Sequence, residues 1–239
     1  MNRRLFSWIV FFGLLVFSGS VYCGQGNLAD RVKEAIPNYY EDSYDVTVTN
    51  GNTVQINGNV NTLYDKYRIY DIIAKVPGVK SILNQLVVDC PPTPDKMIQD
   101  NINEEKHLVS SILEPDRIKV RVDNGIVFLN GEVSYNREKL MMQTLTSWQQ
   151  GVTGIINNLK VLPSQTAKSD ANIKIILNEL MKNQFPIEKS AQFTVADGIV
   201  NLTGSVSTLW VKKKMQESFA NVLGVKGVIN NLTIEPVYF

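Results

Sequence analysis

Apolar residues along this chain alternate between two spacings. Leu28, Val32 and Ile36 recur every four residues, as do Ile98 and Ile102, and Ile173, Ile176, Leu177 and Leu180 follow the same three-to-four rule. That spacing predicts a helix with one buried face. Each such stretch precedes two runs with a period of two. Val120 and Val122 lead through Asn124-Gly125 to Val127, Leu129 and Val133, and Phe193 and Val195 lead through Asp197-Gly198 to Val200, Leu202 and Val206. Asn-Gly and Asp-Gly supply the positive φ values of a two-residue hairpin. The first copy, with Asn50-Gly51-Asn52, reads one residue longer. In the second copy the helical stripe is expected to run on to Leu108 and Ile112.

A second helix follows over 62–76, 135–149 and 208–222. It stops at Gly78, Gly151 and Gly224, where a left-handed cap suits glycine. The last strand is Ile82 to Val88, Ile155 to Leu162 and Val228 to Ile234. The order is therefore α-β-β-α-β, and the right-handed crossover rule makes the second and third strands parallel. Gly58, Gly131 and Gly204 fall inside strands, where the missing side chain is expected to let a helix come close.

These elements belong to a repeat. Val54-Gln55-Ile56-Asn57-Gly58-Asn59-Val60 returns as Val127-Phe128-Leu129-Asn130-Gly131-Glu132-Val133 and as Val200-Asn201-Leu202-Thr203-Gly204-Ser205-Val206. Gly78-Val79, Gly151-Val152 and Gly224-Val225, each followed by an Asn-containing strand, keep the same interval of 73 residues. A period that long exceeds a solenoid repeat, so each copy is a small domain with its own core. The fold class is α+β: three tandem αββαβ domains, each a three-stranded mixed sheet covered on one face by two helices. The domains are 24–90, 91–163 and 164–239. Domains of this size bury only about 60% of their unfolded surface, so packing between neighbours matters. Cys90-Pro91-Pro92-Thr93-Pro94 makes a semi-rigid first seam, and Pro163-Ser164-Gln165-Thr166-Ala167 a looser second one.

Residues 1–23 read as a signal peptide. Arg3 and Arg4 precede a 13-residue apolar run from Leu5 to Phe17, then small residues from Ser18. The run is short for a transmembrane helix. Val21 and Cys23 fit a cut before Gly24, which leaves Cys90 as the one mature cysteine. A lipidated Cys23 is the rival reading, opposed by Tyr22 in the position that favours a small residue.

The pattern Val-x-Leu/Ile-x-Gly-x-Val, a helix, then Gly-Val-x-x-Ile/Val-x-Asn-x-Leu resembles the BON domain, named for bacterial osmotically inducible and nodulation proteins. The resemblance covers nearly all of residues 27–236. It implies an αββαβ fold in the periplasm or at the outer membrane, with phospholipid surfaces, envelope integrity under osmotic stress, or chaperone-like activity as the setting. It implies no catalytic residue.

The composition adds exclusions. One His and two Cys among 239 residues argue against a metal, haem or iron–sulfur cofactor. A net charge of +1 lacks the diffuse basic character of nucleic-acid binders. His107 sits beside Glu104, Glu105 and Lys106 on a polar helical stretch and reads as solvated surface. Gly204-Ser205-Val206-Ser207 lacks the second glycine of a nucleophile elbow. No small-molecule substrate is indicated, and an enzyme is not expected.

Charge drifts along the chain, from −2 over 27–89 to −1 over 94–163 and +2 over 164–239. The clearest cluster is Lys212-Lys213-Lys214, with Trp210 beside the apolar stripe of Val211, Met215, Phe219 and Val222. A tryptophan flanked by lysines on a helix fits an anchor for anionic lipid. The competing reading packs Trp210 on a neighbouring unit with the lysines in water. Trp148 caps the core or a seam, and Tyr39, Tyr40 and Tyr44 line either an inter-domain contact or the rim of the first core. The expected partners are an anionic phospholipid surface or envelope proteins, the alternative being a soluble chaperone or scaffold whose exposed strand edges take client proteins.

Overall fold

The computed structural model describes residues 27–38, 40, 44–49, 51–162 and 169–235. The leader 1–23, the cleavage site beside Cys23, Tyr39 and the seam at 163–167 lie outside them. In the first unit, α1 (Leu28–Ala35) precedes β1 (Tyr44–Thr49), β2 (Thr53–Val60), α2 (Leu63–Ala74) and β3 (Ser81–Val88). The second has α3 (Asp95–Leu108), β4 (Ile118–Asp123), β5 (Ile126–Val133) and α4 (Asn136–Ser147), its last strand broken into β6 (Gly154–Asn157) and β7 (Lys160–Val161). The third has α5 (Asp170–Gln184), β8 (Gln192–Ala196), then β9 (Ile199–Thr203) continued by β10 (Ser205–Val206), α6 (Leu209–Ala220), and β11 (Gly227–Asn230) continued by β12 (Thr233–Ile234).

Each middle strand pairs antiparallel with the first and parallel with the third, as β2 does with β1 and β3. The same holds for β5 with β4 and β6, and for β9 with β8 and β11. The α+β architecture of three αββαβ units is the one the repeat implies. Alternate strand residues turn inward under the helices: Val54 and Ile56 meet Val32, Ile69 and Ile73; Val127 and Leu129 meet Ile98, Ile102 and Met142; Val200 and Leu202 meet Ile173, Leu177, Met215 and Phe219. Phe193 packs edge-on to Phe219 at 5.4 Å. Tyr40 is buried and its hydroxyl donates to Asp65 Oδ1 at 2.6 Å, so with Tyr44 it closes the rim of the first core.

The hairpins carry positive φ at both turn residues, 51° and 74° at Asn124-Gly125 and 51° and 78° at Asp197-Gly198. The first residue of the preceding helix secures each turn. The Asp95 carboxylate accepts from the amides of Asn124 and Gly125 at 2.7 and 3.0 Å, and that of Asp170 from Asp197 and Gly198 at 2.9 Å each.

Three expectations need correction. Leu108 is 82% exposed and ends α3; six residues beyond Ile102 it lies off the buried face. Lys106, four residues on, takes that face instead and donates to the Ile118 carbonyl at 2.7 Å. Desolvation holds its ammonium below the usual lysine range, with Asp116 opposing the shift. Second, Gly78, Gly151 and Gly224 do have left-handed φ of 93°, 87° and 99°, but the helices end four residues earlier, at Ala74, Ser147 and Ala220. The glycines sit in the turn into the last strand.

Third, what the strand glycines admit is not a helix. A Cβ on Gly131 would lie 2.0 Å from the Arg117 carbonyl oxygen, and one on Gly204 2.0 Å from that of Ser190. The backbone entering the first strand runs directly over the glycine, whose φ is 119° or 94°. Gly204→Ala is therefore expected to cost about 3 kcal/mol or more in urea unfolding, from clash and left-handed strain together. Gly51→Ala, at φ 81° with nothing within 4 Å, should lose only about 1 kcal/mol.

Candidate functional site

The second helices position Trp210 and the lysine run that the sequence singled out. Thr62 and Thr208 cap α2 and α6, accepting from Asp65 and Val211 amides. Tyr135 precedes α4 without a side-chain cap.

Each helix is tied to its last strand by one repeated pair. Asn84, Asn157 and Asn230 donate through Nδ2 to the carbonyls of Lys66, Lys139 and Lys212, all at 3.0 Å. Their Oδ1 atoms accept from the amides of Leu86, Leu159 and Leu232. The lysine itself recurs, and its ammonium folds onto the strand in two units: Lys139 Nζ reaches the Leu159 carbonyl at 3.0 Å and Lys212 Nζ that of Leu232 at 2.6 Å. Lys212 is thus the third copy of a structural lysine. The signal was present in the sequence, as lysines at 66, 139 and 212.

The three helices also meet each other in a cyclic order. The N-terminal half of α2 lies against the C-terminal half of α4: Leu63 enters the second unit's core, the Tyr64 ring lies against that of Trp148 with centres 4.4 Å apart and planes tilted by 44°, and Tyr67 bonds Gln143. Burial pushes the Tyr67 phenol up, with the Gln143 hydrogen bond opposing. The N-terminal half of α6 lies in the same way against the C-terminal half of α2. Leu209 packs on the first unit's core, Trp210 faces Lys75, and Lys213 lies over Tyr70. Leu63 and Leu209, Tyr64 and Trp210, Tyr67 and Lys213 are equivalent residues two repeats apart, and so are their partners one repeat apart. The remaining seam, α4 onto α6, closes the ring with Asn136 Nδ2 donating to Asn221 Oδ1 at 3.1 Å. Asn136 stands where the other seams have leucine. A cleft of about 800 Å³ opens there between Tyr135, Leu162, Val222 and Val225.

The cluster at the seam between the third and first units is the candidate site. Trp210 is half-buried between two ammonium groups, Lys75 Nζ at 5.0 Å and Lys214 Nζ at 6.0 Å from its ring centre. Lys213 Nζ pairs with Asp71 at 2.6 Å and Lys214 Nζ with Glu217 at 2.8 Å. Three lysines, Lys75, Lys213 and Lys214, therefore stand against two carboxylates, Asp71 and Glu217, at this seam. Partly exposed ion pairs contribute about 1 kcal/mol or less, and each cation–π contact about as much. Lys75 and Asp71 were not singled out in the sequence, because each sits on a helix face that looks merely solvated.

Other candidates lie apart from this cluster. His107 is half-exposed, 3.5 Å from Asp116. The Ser207 hydroxyl and amide both donate to Glu188, a buried carboxylate that fastens the loop before β8 to the approach to α6. Cys90 is a free, half-buried thiol. Among the described residues no three His, Cys, Asp or Glu side chains group to hold a metal, and no helix is long and apolar enough to cross a membrane.

The BON domain profile matches the chain at residues 25–90, 95–163 and 169–236. No curated protein sequence matches it. Among solved structures it is similar to the C-terminal domain of CdsD, a structural protein of the type III secretion system of Chlamydia trachomatis. That likeness has 16% identity and a TM-score of 0.25, and covers 89% of this chain and 100% of the other. The periplasmic domain of the type III secretion inner-membrane protein PrgH from S. typhimurium matches at 9% identity and a TM-score of 0.21, over 85% and 99% of the two chains. Likeness at that level is not evidence of shared function.

The repeated Asn clamp gives a direct test of the helix-to-strand tie. In Asn230→Ala the buried Leu232 amide loses its acceptor, and unfolding of the chain should become easier by about 1–3 kcal/mol. Asn231→Ala, which removes an exposed side-chain bond to Asn201, should change it by less than about 0.5 kcal/mol.

Proposed function

The chain belongs to the BON domain family, in three tandem copies, and on that premise we propose a non-catalytic protein of the bacterial envelope that binds anionic phospholipid surfaces through its third unit. The leader at 1–23 supports export to the periplasm, with cleavage near Cys23 and Gly24, and the family resemblance supports a role in envelope integrity under osmotic stress, in the periplasm or in association with the outer membrane. The observation that carries the lipid reading is Trp210 on α6 with Lys214 Nζ 6.0 Å from its ring and Lys213 beside it in the next turn, the indole already drawing the ammonium of Lys75 at 5.0 Å. An indole at the headgroup level with ammonium groups around it gains from both apolar burial and the negative surface potential, at about 1 kcal/mol per lysine. Lys212 is spent on the Leu232 carbonyl, which leaves Lys213 and Lys214 as the third unit's groups best placed to meet a phosphate.

A second reading rests on a different surface. Leu83, Ile156 and Ile229 are 47%, 43% and 53% exposed, recur at the 73-residue interval, and lie on the outer sheet face of the third strands. Among the described residues those strands pair along one edge, so an extended segment of an envelope protein could add to the other. The chain would then act as a chaperone or scaffold.

Co-sedimentation of residues 24–239 with vesicles separates these readings. Retention by phosphatidylglycerol vesicles at low salt, lost at high salt and weakened about tenfold or more by Lys213→Gln with Lys214→Gln, is the outcome the lipid reading requires. Retention by neither anionic nor neutral vesicles sinks it. Suppression of client-protein aggregation that Leu83→Thr, Ile156→Thr and Ile229→Thr together abolish would select the scaffold reading, and aggregation unaffected by the wild-type chain would reject it.

A further inference from the structure

The three seams of the ring are unequal. The first and second units share apolar side chains, with Leu63, Tyr67 and Val88 packed on the second core and Tyr64 against Trp148, and they are joined by a chain containing Pro91, Pro92 and Pro94. The third unit is held differently. Toward the second unit, among the described residues, it has the Asn136–Asn221 side-chain bond beside an open cleft. Toward the first it has Leu209 and an electrostatic dock in which Lys213 meets Asp71 and Tyr70, and Trp210 meets Lys75. Solvent screens that dock, because the Lys213 and Asp71 side chains are 37% and 33% exposed.

The residues that fit a lipid surface are the ones that dock the third unit on the first. Trp210 and Lys213 cannot lie on α2 and insert among headgroups at once. We propose that the third unit is a detachable module, docked on the first so that its lipid-binding helix face is covered, and that anionic headgroups compete with Asp71 for Lys213 and release it. This rests on the lipid reading above and adds its regulation. In the closed ring the surface is held back; at an anionic membrane, phosphate replaces the Asp71 carboxylate, α6 swings away from α2, and Trp210 is exposed. The first and second units stay together through their shared core.

The test uses the full mature chain and vesicles of equal parts phosphatidylcholine and phosphatidylglycerol. Asp71→Asn removes the carboxylate that holds Lys213 and should bind up to about fivefold more tightly than wild type. Asp45→Asn makes the same charge change on the exposed first strand of the sheet and should bind as wild type does. A lock that leaves the lipid-binding residues untouched is Asn136→Cys with Asn221→Cys, in a Cys90→Ser background, joined by a short thiol-cleavable cross-linker. The locked chain should fail to bind and should recover when the linker is cleaved. If the locked chain binds as well as the cleaved one, and Asp71→Asn gains no more than Asp45→Asn, the detachable dock is overturned while the lipid reading stands. If wild type, Asp71→Asn and the cleaved chain all fail to bind, the lipid reading itself falls.

Discussion

The structure depends on the second helix of each unit being covered on two sides. Its inner stripe, such as Ile69 and Ile73 in α2, is buried under the unit's own sheet. Its flank carries large side chains that the same sheet cannot reach, among them Leu63, Tyr64 and Tyr67. A domain of this size has too little core to leave such surface in water without losing much of its stability. The flank of α2 is therefore covered by α4 and that of α6 by α2, and the ring follows from repeating that operation.

Ring closure fixes where charge can be concentrated. At the seam between the first two units aromatic and amide groups fill the contact, and Tyr67 is desolvated enough to raise its phenol pKa. At the seam between the third and first, the equivalent positions are Trp210 and Lys213, and the contact becomes one of cations against an indole, a phenol and a carboxylate. Hydrophobic seams are insensitive to salt, whereas this one weakens as ionic strength rises. The same backbone arrangement therefore carries one permanent joint and one conditional joint.

Much of the fold was legible because local chemistry and repetition agree. Asn124-Gly125 and Asp197-Gly198 adopt the positive φ pair that the dipeptides imply, and the 73-residue interval places the second strand, second helix and third strand of one unit onto the next. The strand glycines were found for the wrong reason, since no periodicity shows that the Arg117 or Ser190 carbonyl passes over them. Leu108 was drawn into the helical stripe by its hydrophobicity, while the true occupant of that face was a lysine. The candidate site was half legible. Trp210 and the lysine run stand out by residue type, yet Lys212 belonged to a repeated clamp whose lysine and asparagine could have been matched across units. Asp71 and Lys75 were beyond reach, because the Asp71–Lys213 contact joins positions 142 residues apart and arises only once the ring has closed.

Three copies of one domain arranged head to tail could equally arise from three separate chains, but a homotrimer obeys its symmetry and would have to make all its seams alike. Joining the copies in one polypeptide releases each seam to diverge after duplication. Leu63, Asn136 and Leu209 are one ancestral position with two apolar descendants and one polar one, and that single asymmetry leaves the α4–α6 seam open. Covalent fusion here is thus what allows symmetry to be broken, and with it what lets one of three related domains acquire a separate fate.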